Sequence, residues 1–151
     1  MEAAVHVASN LRSDDYREVF EGHGHFPLLF IPLTACAGDT VYFTDADGRI
    51  AGLAGVESDG KIWMLCTNVI HNAPILFARQ AKKFIESRED KLLWNIVDKR
   101  NTAHLKLLKF LGFKFLRELK HGPNNITFIE FCRVRTNSNS LHSDGGSRSS
   151  R

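Results

Sequence analysis

The chain has 151 residues, 43% of them hydrophobic and 25% charged, as expected for one globular domain. Its formal net charge of +3 is lower than that of dedicated nucleic-acid-binding proteins, so the composition demands no anionic partner. Three cysteines without a Cys-x-x-Cys spacing argue against a disulfide framework and a structural zinc site. The longest apolar run, residues 26–37, is too short for a membrane span, and no signal-peptide pattern precedes it. We therefore expect a soluble intracellular protein.

The first forty residues predict one strand and two helices. Apolar and other side chains alternate over residues 3–8, which predicts a short strand. A helix is expected to begin at Ser13, a candidate N-cap, and to end at Gly22. A second helix, made irregular by Pro32, is predicted over residues 26–37.

The middle of the chain predicts an antiparallel meander. Its three strands cover residues 41–44, 50–56 and 61–67. The dipeptides Asp47-Gly48 and Asp59-Gly60 separate them, and Asp-Gly between apolar runs favours a tight hairpin turn.

The rest of the domain predicts two helices and three strands. Asn72 and Asn101 are candidate N-caps of the helices, and Gly112 ends the second one. The first helix carries an apolar stripe at helical spacing, formed by Pro74, Phe77, Ala78, Ala81 and Ile85. The strands are predicted over residues 92–97, 113–120 and 126–134.

The composition changes after Arg135. Residues 136–151 are rich in Ser, Asn, Gly and Arg, and Leu141 is their only large apolar residue. Such a segment buries too little surface to offset the entropy of ordering it. The sequence thus predicts a domain over residues 1–135 and a disordered basic tail over residues 136–151.

The predicted order β-α-α-β-β-β-α-β-α-β-β resembles that of the GNAT (Gcn5-related N-acetyltransferase) fold. The segment 97–101, followed by an amphipathic helix that ends at Gly112-Phe113, resembles the signature of that family. The resemblance covers residues 3–135. It implies an α/β (α+β) domain in which a mixed, mostly antiparallel sheet is flanked by helices.

Three shorter segments resemble a narrower group, the internal virion protein A-like proteins of short-tailed phages. These segments are residues 18–24, 77–80 and 95–101. The resemblance implies a role in virion assembly, with other phage structural or internal proteins as partners. It also implies a location in the host cytoplasm or the virion.

The resemblance to acetyltransferases implies that acetyl-CoA would bind at the start of the third helix. Family members usually place a glycine-rich loop there, around the cofactor's diphosphate. Residues 67–74 contain no glycine, and Pro74 has no backbone N–H to donate. The candidate cofactor contacts are Asn68, Val69, Ile70, Asn72 and Asn101. We expect weak binding of acetyl-CoA or none, and therefore no cofactor.

The catalytic residues of the family are matched only in part. Its tyrosine acid on the fourth helix corresponds to Leu108, counted back from Gly112-Phe113, and leucine cannot donate a proton. The candidates for a general base are Glu57, Asp98 and His71. Two of them have structural alternatives, because Glu57 can solvate a strand end and Asp98 can order the turn before Asn101.

Other reactive side chains receive structural interpretations. His23 and His25 would supply two metal ligands but have no third ligand nearby in sequence, so we expect a glycine-rich junction and no metal. Cys66 is expected to be a buried small hydrophobic residue and not a nucleophile. The basic residues of the third and fourth helices are expected to be solvated, with weak anion or nucleic-acid contact as the alternative.

Two functions remain open. The first is a phage internal or assembly protein on a GNAT-like fold, without efficient acyl transfer. The second is an acetyl-CoA-dependent N-acetyltransferase of unknown acceptor. The glycine-free loop and Leu108 are the features that separate them.

Overall fold

The structure, a computed structural model, describes residues 1–136. The predicted disordered tail lies outside these residues except for Thr136. Within them, no helix is long and apolar enough to cross a membrane. The three cysteines are free thiols, and Cys36 is exposed whereas Cys66 is buried.

Residues 1–136 form five α-helices and six strands. The helices are α1 (Glu2–Ser9), α2 (Ser13–Arg17), α3 (Pro27–Ala37), α4 (Pro74–Ser87) and α5 (Thr102–Phe110). A π-helical turn, Glu18–Gly22, continues α2, and a 3-10 turn, Asn68–His71, precedes α4. The strands are β1 (Asp39–Thr44), β2 (Ile50–Val56), β3 (Ile62–Cys66), β4 (Leu92–Asp98), β5 (Lys114–His121) and β6 (Ile126–Val134).

The strands form two antiparallel sheets of three strands each. One has the order β1-β2-β3 and the other β4-β6-β5. Leu53 lies opposite Leu65 in the first sheet, and Val97 lies opposite Ile129 in the second. A single parallel bridge between Lys61 and Trp94 joins the two sheets. The expected class, a mixed α+β fold with antiparallel sheets flanked by helices, is confirmed.

The first element is a helix and not the expected strand. Ala4, Val7 and Ala8 are buried, whereas Val5 and His6 are exposed. This i, i+3, i+4 pattern is helical, and the three alanines of the segment favour a helix because alanine has the highest helix propensity. The apparent alternation around His6 was too short to decide between the two structures.

The expected N-caps differ in detail. Arg12 stands at the N-cap of α2 in place of Ser13, and Ala73 stands at that of α4 in place of Asn72. Asn101 occupies the N-cap position of α5 but makes no side-chain cap bond. Its amide instead joins a buried polar network with Arg12, Asp15 and Glu18, which competes for the same donors and acceptors.

Two apolar clusters cover the two faces of the first sheet. On one face, α1 and α3 bring Val7 and Ile31 against Leu53 and Leu65. On the other face, α4 and α5 pack on both sheets, with a larger cluster that includes Phe77, Ala81, Ile85, Val97, Leu108 and Phe131. The second cluster holds the two sheets together beneath the line where β3 meets β4.

Candidate active site

The edges of β3 and β4 touch at one end and separate at the other. At the touching end, Trp94 donates its backbone N–H to the Gly60 carbonyl over 3.1 Å. The Asn95 amide donates to the Ile62 carbonyl over 2.7 Å. At the separating end, the partner of β3 is the segment that begins α2. The Cys66 N–H donates to Asp15 over 2.8 Å, and the Cys66 carbonyl accepts from the Arg12 N–H over 2.8 Å.

Two cavities open in the resulting cleft. The first cavity has a volume of about 170 Å³ and lies among the π-helical turn, α3 and strands of both sheets. The second cavity has a volume of about 290 Å³ and lies among the end of β3, α4 and α5. Met64 on β3 and His104 on α5 line both cavities. These two side chains therefore mark the place where the cavities adjoin.

Four buried polar side chains hold the separating end of the cleft. Arg12 donates to Asp15 over 3.0 Å and to the Asn101 carbonyl oxygen over 2.7 Å. The Asn101 amide in turn donates to Asp15 over 2.9 Å and to Glu18 over 3.1 Å. The network joins residues that are more than 80 positions apart, so it attaches α5 to the N-terminal segment.

Arg12 also offers a hydrogen-bond donor that the protein leaves unused. Its Nε is buried, and no described residue accepts a hydrogen bond from it. Arg12 lines the second cavity. Because an unsatisfied buried donor costs free energy, the polar network is not fully satisfied at this atom.

Glu18 and His104, which both line the first cavity, have shifted pKa values. Burial, with a smaller contribution from Asp15, raises the pKa of Glu18 to about 8. Burial lowers the pKa of His104, and the nearby Asp15 offsets this only in part. At neutral pH Glu18 is therefore mostly protonated and His104 is neutral. A neutral imidazole where two cavities meet can accept a proton and return it.

The three predicted general-base candidates are in different environments. Glu57 lines the first cavity. His71 is exposed at the rim of the second. Asp98 is 1% exposed, and Arg100 donates to both its oxygens, at 3.0 and 2.7 Å. Burial opposes ionisation of Asp98, but these bonds outweigh it and keep its pKa below the usual value. The Arg100 N–H also donates to Asp98 over 2.9 Å, as expected of a turn-ordering residue.

The predicted cofactor contacts also lie in different environments. Asn68, Val69 and Ile70 form the 3-10 turn between β3 and α4, where Ile70 lines the second cavity. Asn72 is exposed just before α4. Asn101 is buried in the polar network and lies behind the cavity wall.

Sequence reasoning overlooked His104 although a signal for it existed. Leu108, the residue at the family's tyrosine position, is 4% exposed and belongs to the larger apolar cluster. His104 precedes it by four residues, so it lies on the same helix face one turn earlier. Arg12 and Glu18 gave no local signal, because their partners are far away in sequence.

The remaining candidates are satisfied within the protein. His23 Nδ1 lies 2.9 Å from His121 Nε2, and the His25 ring stacks on Phe30. Burial and the neighbouring His121 lower the pKa of His23 to about 4. Within residues 1–136, no three potential ligands are grouped so that they could hold a metal ion. Burial raises the pKa of the Cys66 thiol, which keeps it protonated and unreactive.

Solved structures of acetyltransferases share this architecture. A GNAT-family acetyltransferase from Bacillus anthracis superimposes with a TM-score of 0.61 at 12% identity, over 88% of this chain and 87% of that one. A GNAT-family acetyltransferase from Streptococcus pneumoniae gives 0.52 at 18% identity, over 73% and 76%. A point variant of spermidine N-acetyltransferase SpeG from Vibrio cholerae gives 0.54 at 10% identity, over 69% and 70%.

No protein-family model matches the chain, and the search of curated proteins gives no match. The interpretation as an internal virion protein of a phage has no support from any of the comparisons. Identities this low carry the architecture and not the activity. The likeness to these structures confirms that the chain has the GNAT fold.

Proposed function

We propose that the protein is an acetyl-CoA-dependent N-acetyltransferase. The observation that carries this proposal is the pair of cavities that adjoin at Met64 and His104. Such an arrangement suits a reaction between two separately bound substrates, because each enters from its own side and the reacting atoms meet in the middle. The expectation that no cofactor is used has no support, and the alternative function fits the cleft better.

The second cavity suits the acyl donor. Its walls are largely apolar, which suits the methylene and dimethyl groups of a pantetheine arm. The backbone of Met64 offers a further contact. The N–H and carbonyl of Cys66 bond away from β2, so strand alternation directs those of Met64 to the same open edge. An acetyl-CoA bound there would supply a thioester carbon for attack by an amine.

His104 is the residue we assign to proton transfer. It would take a proton from the acceptor amine as the new C–N bond forms. It would return that proton to the sulfur as the C–S bond breaks, so that the amide and the free thiol leave with no net change in the protein. Its lowered pKa keeps the imidazole neutral and ready to accept. Leu108 then needs no proton-donating role.

The start of α4 limits the affinity for the donor. Pro74 is its first residue, and the 3-10 turn before it contains no glycine that would let the backbone surround a diphosphate. We therefore expect acetyl-CoA to bind more weakly than the low micromolar range, which corresponds to about −8 kcal/mol. Calorimetric titration measures this directly.

An acetyl-transfer assay with a panel of primary amines tests the function. We expect CoA release that depends on the amine and falls about 100-fold or more in His104→Gln. His6→Gln, on the exposed side of α1, is the matched control and should keep full activity. If no amine releases CoA and calorimetry detects no acetyl-CoA binding at millimolar concentration, the proposal is wrong.

A further inference from the structure

We propose that the acceptor is a small primary amine carried on a single aromatic ring or an apolar group of that size, bound in the first cavity against Trp63 and Phe30. This inference rests on the proposed function and specifies its substrate class. Three features of the first cavity support it, namely its size and walls, its balance of charge, and the fixed position of Trp63.

The size and walls of the first cavity suit one ring. Its volume is about 170 Å³. An engineered cavity of about 150 Å³ with leucine, isoleucine and phenylalanine walls stays dry and binds benzene. Here the walls include Val19, Phe30, Ile31, Trp63, Leu108 and Phe131. A benzene-sized group therefore fits among them, and the aromatic side chains favour offset or edge contacts with it.

Most polar groups of the cavity already have partners within the protein. Glu18 accepts from Asn101, and the Asn95 amide donates to Ile62. His23 lies within hydrogen-bond distance of His121. The His25 ring stacks on Phe30 with 4.4 Å between centroids and 10° between planes. Because these groups are engaged within the protein, the larger part of the lining offered to a substrate is apolar.

The charges that remain do not suit a polyamine. Glu18 is mostly protonated, so the charged residues of the lining that have no salt bridge within residues 1–136 are Glu57 and Lys61. The formal charges of these two side chains cancel. A polyamine would bring several ammonium groups into a cavity that cannot neutralise them, and burying unpaired charge is costly. A monoamine brings only one ammonium group, which Glu57 can contact, and this charge disappears when the amine is deprotonated before its attack.

The indole of Trp63 is held over β2 by the absence of a side chain at Gly55. A Cβ at Gly55 would lie 2.6 Å from Cζ2 of Trp63 and 2.7 Å from Cε2. Any other residue there would force the indole to move. The two residues are paired across β2 and β3, so the ring has a defined place in the cavity wall.

Binding of 2-phenylethylamine, followed by NMR titration without any acyl donor, tests the inference. We expect saturable binding, with contacts between the phenyl protons and the Trp63 indole in nuclear Overhauser spectra. Spermidine and 2-phenylethanol, which lacks the amine, should each bind at least about tenfold more weakly than 2-phenylethylamine. Because no donor is present, this result is independent of whether acetyl transfer occurs.

Variants give a second measurement. Trp63→Ala should weaken 2-phenylethylamine about tenfold or more, whereas Trp94→Ala, a tryptophan outside the cavity lining, should change it less than about twofold. Equal or tighter binding of spermidine would overturn the inference, and so would the absence of contacts to Trp63. If Trp63→Ala does not fold, Gly55→Ala is the replacement variant, since it displaces the same indole, and unaltered binding in it would overturn the inference.

Discussion

Different interactions hold the two ends of the junction between β3 and β4, namely the closed end, where the strands touch, and the open end, where they separate. At the closed end, strand meets strand through the Trp94 N–H and the Asn95 amide. At the open end, Asp15 and Arg12 take the hydrogen bonds that a neighbouring strand would otherwise make to Cys66. The N-terminal segment thus separates the two strands at the open end. It satisfies the edge of β3 while keeping β4 away, and the cleft is the space that results.

This difference has an energetic consequence. The closed end consists of neutral hydrogen bonds, each worth about 1 kcal/mol net. The open end is a buried ionic network, in which the loss of one partner leaves charge unpaired in a low-dielectric interior. We therefore expect substitutions at the open end to be far more destabilising than those at the closed end.

The largest effect is expected for Asp15→Ala. Asp15 is 2% exposed and accepts hydrogen bonds from Arg12, Asn101 and the Cys66 N–H. Its removal leaves the Arg12 guanidinium without its buried counterion, at a cost of about 3–5 kcal/mol of unfolding free energy. Chemical denaturation measures it. Asp14→Ala, whose side chain is 35% exposed, is the control and should cost less than about 1 kcal/mol. Similar costs for the two variants would contradict the importance of the buried ionic network at the open end.

Leu108→Ala should cost about 2–5 kcal/mol. Leu108 is 4% exposed and supports the floor of the cleft from α5, so the truncation loses burial and enlarges the first cavity. Leu116→Ala on β5, where the side chain is 56% exposed, should be nearly neutral. A nearly neutral Leu108→Ala in the same denaturation experiment would place this residue in an open cleft. Leu108→Tyr should not increase acetyl transfer, because His104 already handles the proton.

Glu18→Gln tests the network through pH. The folded-state pKa of Glu18, about 8, lies above its unfolded value, so the folded protein binds more protons between pH 4.5 and 8. Wild-type stability is therefore lost as the pH rises through this window. The glutamine variant escapes this loss, and its stability relative to wild type should increase by about 2–4 kcal/mol between pH 5 and pH 9. Denaturation curves at the two pH values measure the difference, and a constant difference would refute the assignment.

The smallest effect is expected at the closed end. Asn95→Ala removes the hydrogen bond from the amide to the Ile62 carbonyl and a local one that the side chain accepts from the Ile96 N–H, and should cost about 1–2 kcal/mol. Thermal or chemical unfolding can resolve it against Asn124→Ala, an exposed amide that donates to the Glu21 carbonyl. A loss of unfolding free energy as large as that of Asp15→Ala would mean that the closed end contributes as much stability as the open end.

Local patterns predicted most of the secondary structure. The strands β2 and β6 have their predicted bounds, because alternating or apolar runs between turn residues are strong local signals. Gly112, with φ of 85°, ends the last helix as its position after an apolar stripe predicted. The exception is α1, whose eight residues are too few for a period to be read reliably.

The candidate site was predictable only in part. Glu57, Ile70 and His71 were singled out from sequence and line the cavities, whereas the assignments of catalytic and cofactor-binding residues stay predictions. Asn101 was noticed for its helix-capping position, yet its side chain bonds to Asp15 and Glu18. A local pattern could predict only the capping role of Asn101, because its actual partners lie more than 80 residues away in the sequence.

The spacing of apolar, glycine and proline residues determined the order of the elements after α1, the hairpin turns and the end of α5, because those features depend on neighbours a few positions away. The cleft was decided only by the tertiary structure. It requires that Arg12 and Asp15 reach the edge of β3 and that Asn101 meet them from α5. The shifted pKa values of Glu18 and His104 arise from the same assembly, since burial exists only once distant segments have come together.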